Sequence, residues 1–232
     1  MDLNFDNYIF DLYGTLIDIH TDWYCDETWE KFCFALGRLG LKTIAPDKMN
    51  KEFYRRENLK KEAAQTTWGF KYPEIDVTKV YKDMLIEFGN PKELFTKQFL
   101  DEIGYSFRVA SREYIRLFPG VTEYLAKLRE AGKHPFVLSN AQSSWTRPEI
   151  KLMGLDTMVE DILISSEERC RKPDVRFYNL MLDKHHMDKS KTVMTGDHYE
   201  CDCQGAMDAG ISAVWLNGEN AADRYYLRQI SE

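Results

Sequence analysis

The sequence has no run of about 18 apolar residues, the length a helix needs to cross a bilayer. Its N-terminal MDLNFDNYIF has no basic segment leading into an apolar one. The expectation is a cytoplasmic protein with no membrane partner. A basic surplus is also missing, since 31 Lys and Arg stand against 38 Asp and Glu for a formal charge of -7. No cationic footprint for nucleic acid follows, and none is expected as a partner. Cysteine is scarce and odd in number: Cys25, Cys33, Cys170, Cys201 and Cys203 include no CxxC pair, which excludes a disulfide framework or a structural zinc site as the organising device. The Cys201-Asp202-Cys203 triplet is a poor metal site, because residues i and i+2 of a helix point apart. Internal repeats, low-complexity tracts and long linkers are absent too, so a solenoid or a tethered array is excluded.

What is present begins with Asp6–Asp18, DNYIFDLYGTLID. Asn7 to Phe10 has the aromatic and β-branched content of a buried strand, and Gly14 supplies the turn that ends it. Asp11 then stands at the carboxyl end of a strand, where open α/β sheets bind ligands. By itself such a residue is either a nucleophile or a cap on the turn.

The next hundred residues read as helical. Thr21 to Leu39 carries Trp29, Phe32, Cys33, Leu36 and Leu39 at helical period; Pro46 to Glu62 is a charged helix; Pro73 opens a third that Gly89-Asn90-Pro91 breaks; Lys92 to Leu117 is a fourth. From Phe118 onward strands and helices alternate. Helices are expected at Val121–Glu130, Arg147–Met153, Asp174–His186 and Cys201–Ala209, and near Asp223–Ile230. The intervening strands are expected at Lys133–Leu138, Asp161–Ile164, Thr192–Met194 and Ser212–Leu216. Alternation of this kind predicts an α/β protein with a Rossmann-like parallel sheet. At 232 residues there is room for that core, in residues 1–16 and 118–232, with residues 17–117 inserted as an all-helical cap.

Later strand ends carry polar residues of matching chemistry. Ser139-Asn140 offers a hydroxyl and backbone amides, good donors to an oxyanion. Arg171-Lys172-Pro173-Asp174 places a lysine just before a proline-started helix, near where that helix can hold an anion. Gly196-Asp197 and Asp202 bring acidic residues to a helix start, a set that suits magnesium. Each of these has an ordinary reading as a turn residue or a solvated charge.

Taken together, DLYGT at Asp11–Thr15, SN at Ser139–Asn140, KPD at Lys172–Asp174 and GDHYECD at Gly196–Asp202 resemble the four motifs of the haloacid dehalogenase superfamily. The likeness covers nearly the whole chain and includes the helical insertion after the first motif. It implies a hydrolase acting on a small phosphorylated substrate, with Asp11 forming an aspartyl-phosphate that water then cleaves. It further implies a catalytic set of Asp11, Tyr13 and Lys172 and a substrate-binding set of Thr15, Ser139 and Asn140. Magnesium would be held by Asp11, the Tyr13 backbone carbonyl, Asp197 and Asp202.

The sequence departs from that pattern at Tyr13, where phosphatases of the superfamily carry a second aspartate as general acid and base. Tyrosine there resembles the 2-haloacid dehalogenases, whose halide leaves without a proton. Those enzymes resemble S-x-N-x-x-D at the fourth motif, whereas Gly196-Asp197 and Asp202 here match the magnesium-dependent members. A haloacid as the small-molecule substrate, with Lys42, Arg38, Arg55 or Arg56 capturing halide, therefore stands as the alternative. A third reading is a protein that binds a phosphorylated ligand with negligible turnover. Trp23, Tyr24, Trp29, Trp68, Phe70 and Tyr72 are candidate cap contacts, and His198 is the histidine nearest the expected site.

Overall fold

Parallel strands need crossovers, and the strand-helix alternation of the second half of the chain supplies them. The computed structural model describes residues 3–216. The closing helix expected near 223–230 lies outside the described residues. In chain order the strands are β1 Asn7–Phe10, β2 Ile17–Thr21, β3 Arg112–Leu117, β4 His134–Ser139, β5 Asp161–Ile164, β6 Thr192–Gly196 and β7 Ser212–Trp215. The helices are α1 Asp26–Arg38, α2 Pro46–Trp68, α3 Thr78–Glu87, α4 Lys97–Ser111, α5 Val121–Glu130, α6 Ser143–Leu152, α7 Ser165–Glu168, α8 Val175–Lys184 and α9 Gly205–Asp208. Five strands form a parallel sheet in the order β5-β4-β1-β6-β7. β1 is central, which is why Ile9 and Phe10 are fully buried.

The segment 17–117 holds the four helices expected of it, but it is not all helical. It enters through β2 and leaves through β3, which pair antiparallel as a two-stranded ribbon with Ile17 opposite Leu117 and Asp18 opposite Arg116. The fourth helix therefore stops at Ser111 rather than Leu117. Phe107, Ala110 and Tyr114 fit a helical stripe, but residues 112–117 pair with β2 instead, a tertiary preference that local periodicity does not encode. Arg116 Nε donates to Asp18 at 2.8 Å across the ribbon, and the Tyr114 hydroxyl donates to Asp18 at 3.2 Å. Two further boundaries differ. α6 begins at Ser143 with Pro148 inside it, and the helix expected from Cys201 begins as a wide π-type turn over Tyr199–Gln204 before α9.

Each helix has a local cause. Asp26 and Glu27 lie in the first turn of α1, where the helix dipole favours negative charge, and Trp29, Phe32, Cys33 and Leu36 form its buried stripe. α2 starts on a proline and stops at Gly69, whose φ of 65° is left-handed. The Thr96 hydroxyl caps α4 by accepting from the Phe99 amide at 3.2 Å.

Helices α1 to α4 bury a shared apolar core of their own, and Trp145 of α6 inserts into it from the sheet side. Separate clusters cover the two faces of the sheet. The two layers approach closely at Gly104 of α4, where an added Cβ would sit 2.4 Å from Ser144 Oγ and 2.8 Å from Ser144 Cβ. Gly104→Val is expected to lower the unfolding free energy by about 1–3 kcal/mol through overpacking. Gly37→Ala in α1, with no atom within 4 Å of the new methyl, is expected to raise it by up to about 1 kcal/mol. Urea titration of both variants checks the pair; equal effects would remove the close crossing as a constraint.

Candidate active site

Four loops at the carboxyl edge of the sheet converge on one point. The Asp11 amide donates to the Thr195 carbonyl at 2.9 Å, carrying the β1–β6 pairing one residue past β1 and fixing the Asp11 backbone. The chain then folds back on itself, with the Leu12 carbonyl accepting from the amides of Leu16 at 2.9 Å and Ile17 at 2.8 Å. Gly14 in this turn has a φ of +90°, and a Cβ there would lie 2.4 Å from Asp197 Oδ2. Only glycine allows both the turn and the approach of that carboxylate. Thr15 Oγ1 donates to Asp197 Oδ1 at 3.4 Å. At the end of β6, a Cβ on Gly196 would run into Asp202 at 2.3 Å, so the second glycine makes room for the second acid.

Between them lies Lys172. Its side chain is 1% exposed, and Nζ donates to Asp11 Oδ1 at 2.6 Å and to Asp202 Oδ1 at 2.7 Å. The other Asp202 oxygen accepts from the His198 amide at 2.9 Å, so both of its oxygens are engaged. Asn140 braces the lysine backbone from β4, accepting from the Lys172 amide at 2.8 Å and donating to its carbonyl at 2.9 Å. Asp11, Ser139, Asn140, Lys172, Asp197 and Asp202 line a cavity of about 220 Å³, with Tyr13, His198 and Cys201 at its rim.

One ammonium thus pairs with two of the three carboxylates gathered here. Burial pushes the Asp11 carboxyl up to about 7; Lys172 pulls against this, and Asp202 and Asp197 add to it. Burial alone would lower the Lys172 pKa, but Asp11 and Asp202 hold it above the ordinary lysine value. One carboxylate oxygen each from Asp11, Asp197 and Asp202 lie within 4.8 Å of one another. Hard oxygen donors at this spacing, with surplus negative charge, fit a magnesium ion.

Tyr13 points elsewhere. Its hydroxyl donates to Glu149 Oε2 at 2.5 Å and lies 3.1 Å from Thr146 Oγ1, both on α6. Glu149 is fully buried and also accepts from Arg108 Nε at 2.9 Å, Arg108 Nη2 at 3.1 Å and Arg112 Nη1 at 2.8 Å. The Arg108 guanidinium sits 4.8 Å from the centre of the Tyr13 ring. Burial, with the Glu149 charge beside it, pushes the phenol well above the ordinary tyrosine range, although Arg108 opposes the shift.

All the motif residues expected at the site, Asp11, Tyr13, Thr15, Ser139, Asn140, Lys172, Asp197 and Asp202, lie at or beside this cavity. The expected halide cations do not: Arg55 and Arg56 pair with Glu52, and none of Arg38, Lys42, Arg55 and Arg56 lines the cavity or the cleft next to it. That adjoining cleft carries Lys61, Arg108 and Arg171 instead. Of the expected cap aromatics, Trp23 lines the cleft, whereas Trp29 is core and Tyr24 is 74% exposed. Sequence reasoning missed Glu149 and Arg108. The only signal was a charged residue on the apolar face of a helix, three positions after Thr146.

A model of the haloacid dehalogenase-like hydrolases matches residues 5–210. The chain belongs to this family of hydrolases. Its relatives include the glyceraldehyde 3-phosphate phosphatase of Pyrococcus abyssi, 28% identical over 44% of this chain and 43% of that protein. The phosphoserine phosphatase of Thermus thermophilus is 29% identical over 60% of this chain and 53% of that protein. The haloacid dehalogenase-like chain thus spans about half the length of these curated relatives. In fold it is similar to the solved 2-haloacid dehalogenase of Pseudomonas syringae pv. Tomato DC3000, with a TM-score of 0.63 at 22% identity over 92% of this chain and 86% of that one.

In this hydrolase Lys172→Met would leave buried carboxylates facing one another and lower the unfolding free energy by about 3–5 kcal/mol. Adding Asp202→Asn should recover part of that loss. A denaturant-based double-mutant cycle tests this; strictly additive losses would mean that the two side chains do not share the energetics assigned to them.

Proposed function

We propose that this hydrolase cleaves a small phosphorylated substrate with magnesium, through an aspartyl-phosphate at Asp11. The observation that carries the reading is the charge balance of the cavity: three carboxylates, one ammonium, and an Asp11 pushed up to about 7 by burial. A phosphate monoester brings further negative charge, and a site of this sign admits it only with another cation. Asp11 and Asp197 would hold magnesium together with the Tyr13 carbonyl. Asp202, with both oxygens bonded, would instead orient Lys172 and the loop at His198. When bound, the ion supplies positive charge against the transferring phosphoryl oxygens.

In this reading Lys172 opposes the burial that raises the Asp11 pKa and aims one of its oxygens by a 2.6 Å hydrogen bond. The carboxylate attacks phosphorus, the bond from phosphorus to the leaving oxygen breaks, and that oxygen departs with the electron pair. Ser139 would hold substrate, Thr15 would act through Asp197, to which it donates at 3.4 Å, and Asn140 through the backbone of Lys172. Water then attacks phosphorus of the aspartyl-phosphate, releasing phosphate and restoring Asp11. The helical layer of residues 17–117 acts as a cap that excludes other water.

Tyr13 limits the substrates. Its proton is committed to Glu149 and its pKa is raised, so it neither protonates a leaving alkoxide nor activates water at neutral pH. The hydrolase then favours leaving groups that depart as stable anions. The same tyrosine is what favours the second reading, 2-haloacid dehalogenation, since halide needs no proton.

Magnesium-stimulated phosphate release from acetyl phosphate, abolished by EDTA and by Asp11→Asn, is the expected outcome. EDTA-insensitive halide release from 2-chloropropionate would replace this reading with the second. Tyr13→Asp is expected to raise kcat/KM for alkyl phosphates by roughly 10²-fold, the scale of general acid-base help. No rise would count against the account of the tyrosine.

A further inference from the structure

The chain between α2 and α3 leaves the helical layer and runs against the core. Pro73 pairs antiparallel with Cys170. On either side of that pair, the Arg171 amide donates to the Tyr72 carbonyl at 3.2 Å and the Glu74 amide donates to the Arg169 carbonyl at 2.9 Å. Residues 72–77 thus form a strap on the segment that leads into Lys172. Arg169 keeps its end of the pairing at a φ of 61°, in the left-handed region that a side chain disfavours.

Two buried side chains fasten the strap. Gln142, two positions after Asn140, accepts from the Val77 amide at 3.0 Å through Oε1. Its Nε2 donates to the Ile75 carbonyl at 2.8 Å and to Glu74 Oε1 at 3.2 Å, so all three of these bonds go to the strap. Glu74 Oε2 accepts from the Ser165 hydroxyl at 3.1 Å, and Ser165 Oγ in turn accepts from the Ala141 amide at 2.9 Å. The strap therefore reaches Lys172 by two routes. One runs along the backbone through Arg171. The other runs through Ala141 and Gln142 to their neighbour Asn140, which clamps the Lys172 amide and carbonyl. Neither Glu74 nor Gln142 lines the Asp11 cavity, so they bear on the reaction only through what they hold in place.

We propose that Gln142 and Glu74 are positioning residues for Lys172: they keep the strap paired with residues 169–171 throughout the reaction, so that the lysine is held from both sides while it aims Asp11. The helical layer then stays docked on the core during turnover. Parting the strap would strip buried amides and a buried carboxylate of their partners, which is costly. Two other attachments agree: Trp145 of α6 is buried in the core of the helical layer, and Arg108 of that layer is buried against Glu149. The inference rests on the phosphohydrolase reading for the step that Lys172 serves.

The pair of Pro73 and Cys170 makes the strap lockable. An antiparallel pair with hydrogen bonds only at its flanks brings Cα atoms to roughly 4.5 Å, within the disulfide range of roughly 4.4–6.8 Å. Pro73→Cys can thus be bonded to Cys170 with diamide and released with dithiothreitol, with the bond verified by peptide mass and the unmodified chain treated in parallel. Acetyl phosphate hydrolysis with magnesium is the readout. Locked Pro73→Cys is expected to keep the kcat of its reduced form. Gln142→Ala is expected to lower kcat by roughly 10- to 10²-fold, the scale of a misplaced catalytic group, with KM changed by less than about threefold. In the Pro73→Cys/Gln142→Ala protein, oxidation should recover most of that loss. Activity that disappears on locking Pro73→Cys and returns on reduction overturns the proposal, because the strap then has to open. An unaltered kcat in Gln142→Ala, or a loss that the lock does not repair, overturns it too. Glu74→Gln and Glu74→Ala make the same comparison more mildly: the amide still accepts from Gln142, so glutamine should keep kcat where alanine lowers it, and equal values count against the proposal.

Amide exchange reads the coupling without turnover. In Gln142→Ala the amides of Glu74, Arg171 and Lys172 are expected to exchange together at least about tenfold faster; an unchanged Lys172 amide overturns the proposal. If the unmodified enzyme releases no phosphate, the phosphohydrolase reading fails and the exchange result alone decides the role of the strap.

Discussion

A lysine ammonium that is 1% exposed between two buried carboxylates holds this site together. Removing such a charge from water costs several kcal/mol, and only close, directed partners repay it. Here the partners come from β1 and from the turn after β6, while the lysine backbone is clamped by Asn140 from the end of β4. Three strand ends and one loop are tied at a single point. The two glycines at Gly14 and Gly196 follow from the same constraint, because a methyl at either would displace an acid from the cluster. The centre of the sheet is therefore as much organised by the site as the site is by the sheet.

Much of this was legible in the sequence, and the reason is physical. A buried central strand has to be apolar until it ends, so the acid at Asp11 marks both the strand end and the site. The same holds for Ser139 and Gly196-Asp197. The parallel sheet follows from the alternation after Phe118, and the helical layer from the stripes of α1, α3 and α4. The ribbon of β2 and β3 was not legible: residues 112–117 satisfy a helical stripe, and only pairing with Ile17–Thr21 decides against it. Glu149 was invisible for a related reason. A carboxylate in an amphipathic helix reads as solvated, and its burial becomes reasonable only once Arg108, Arg112 and Tyr13 surround it.

That buried glutamate ties the two layers together. Arg108 is on α4 of the helical layer, Arg112 begins the ribbon, Thr146 and Glu149 are one face of α6 on the sheet side, and Tyr13 follows the proposed nucleophile by two residues. An ion pair of this kind contributes less to net stability than to specificity of geometry, since both charges lose their hydration. Two of the glutamate's partners, Arg108 and Tyr13, line the cleft between the layers. The residue that departs from the phosphatase pattern is thus fully employed in holding that seam.

The same commitment bears on chemistry. A hydroxyl that donates at 2.5 Å to a carboxylate cannot also serve a leaving oxygen without breaking that bond and leaving Glu149 short of a donor. On the proposed reading, position 13 has exchanged proton transfer for architecture, and the lost acid has to be replaced by the substrate's own ability to leave.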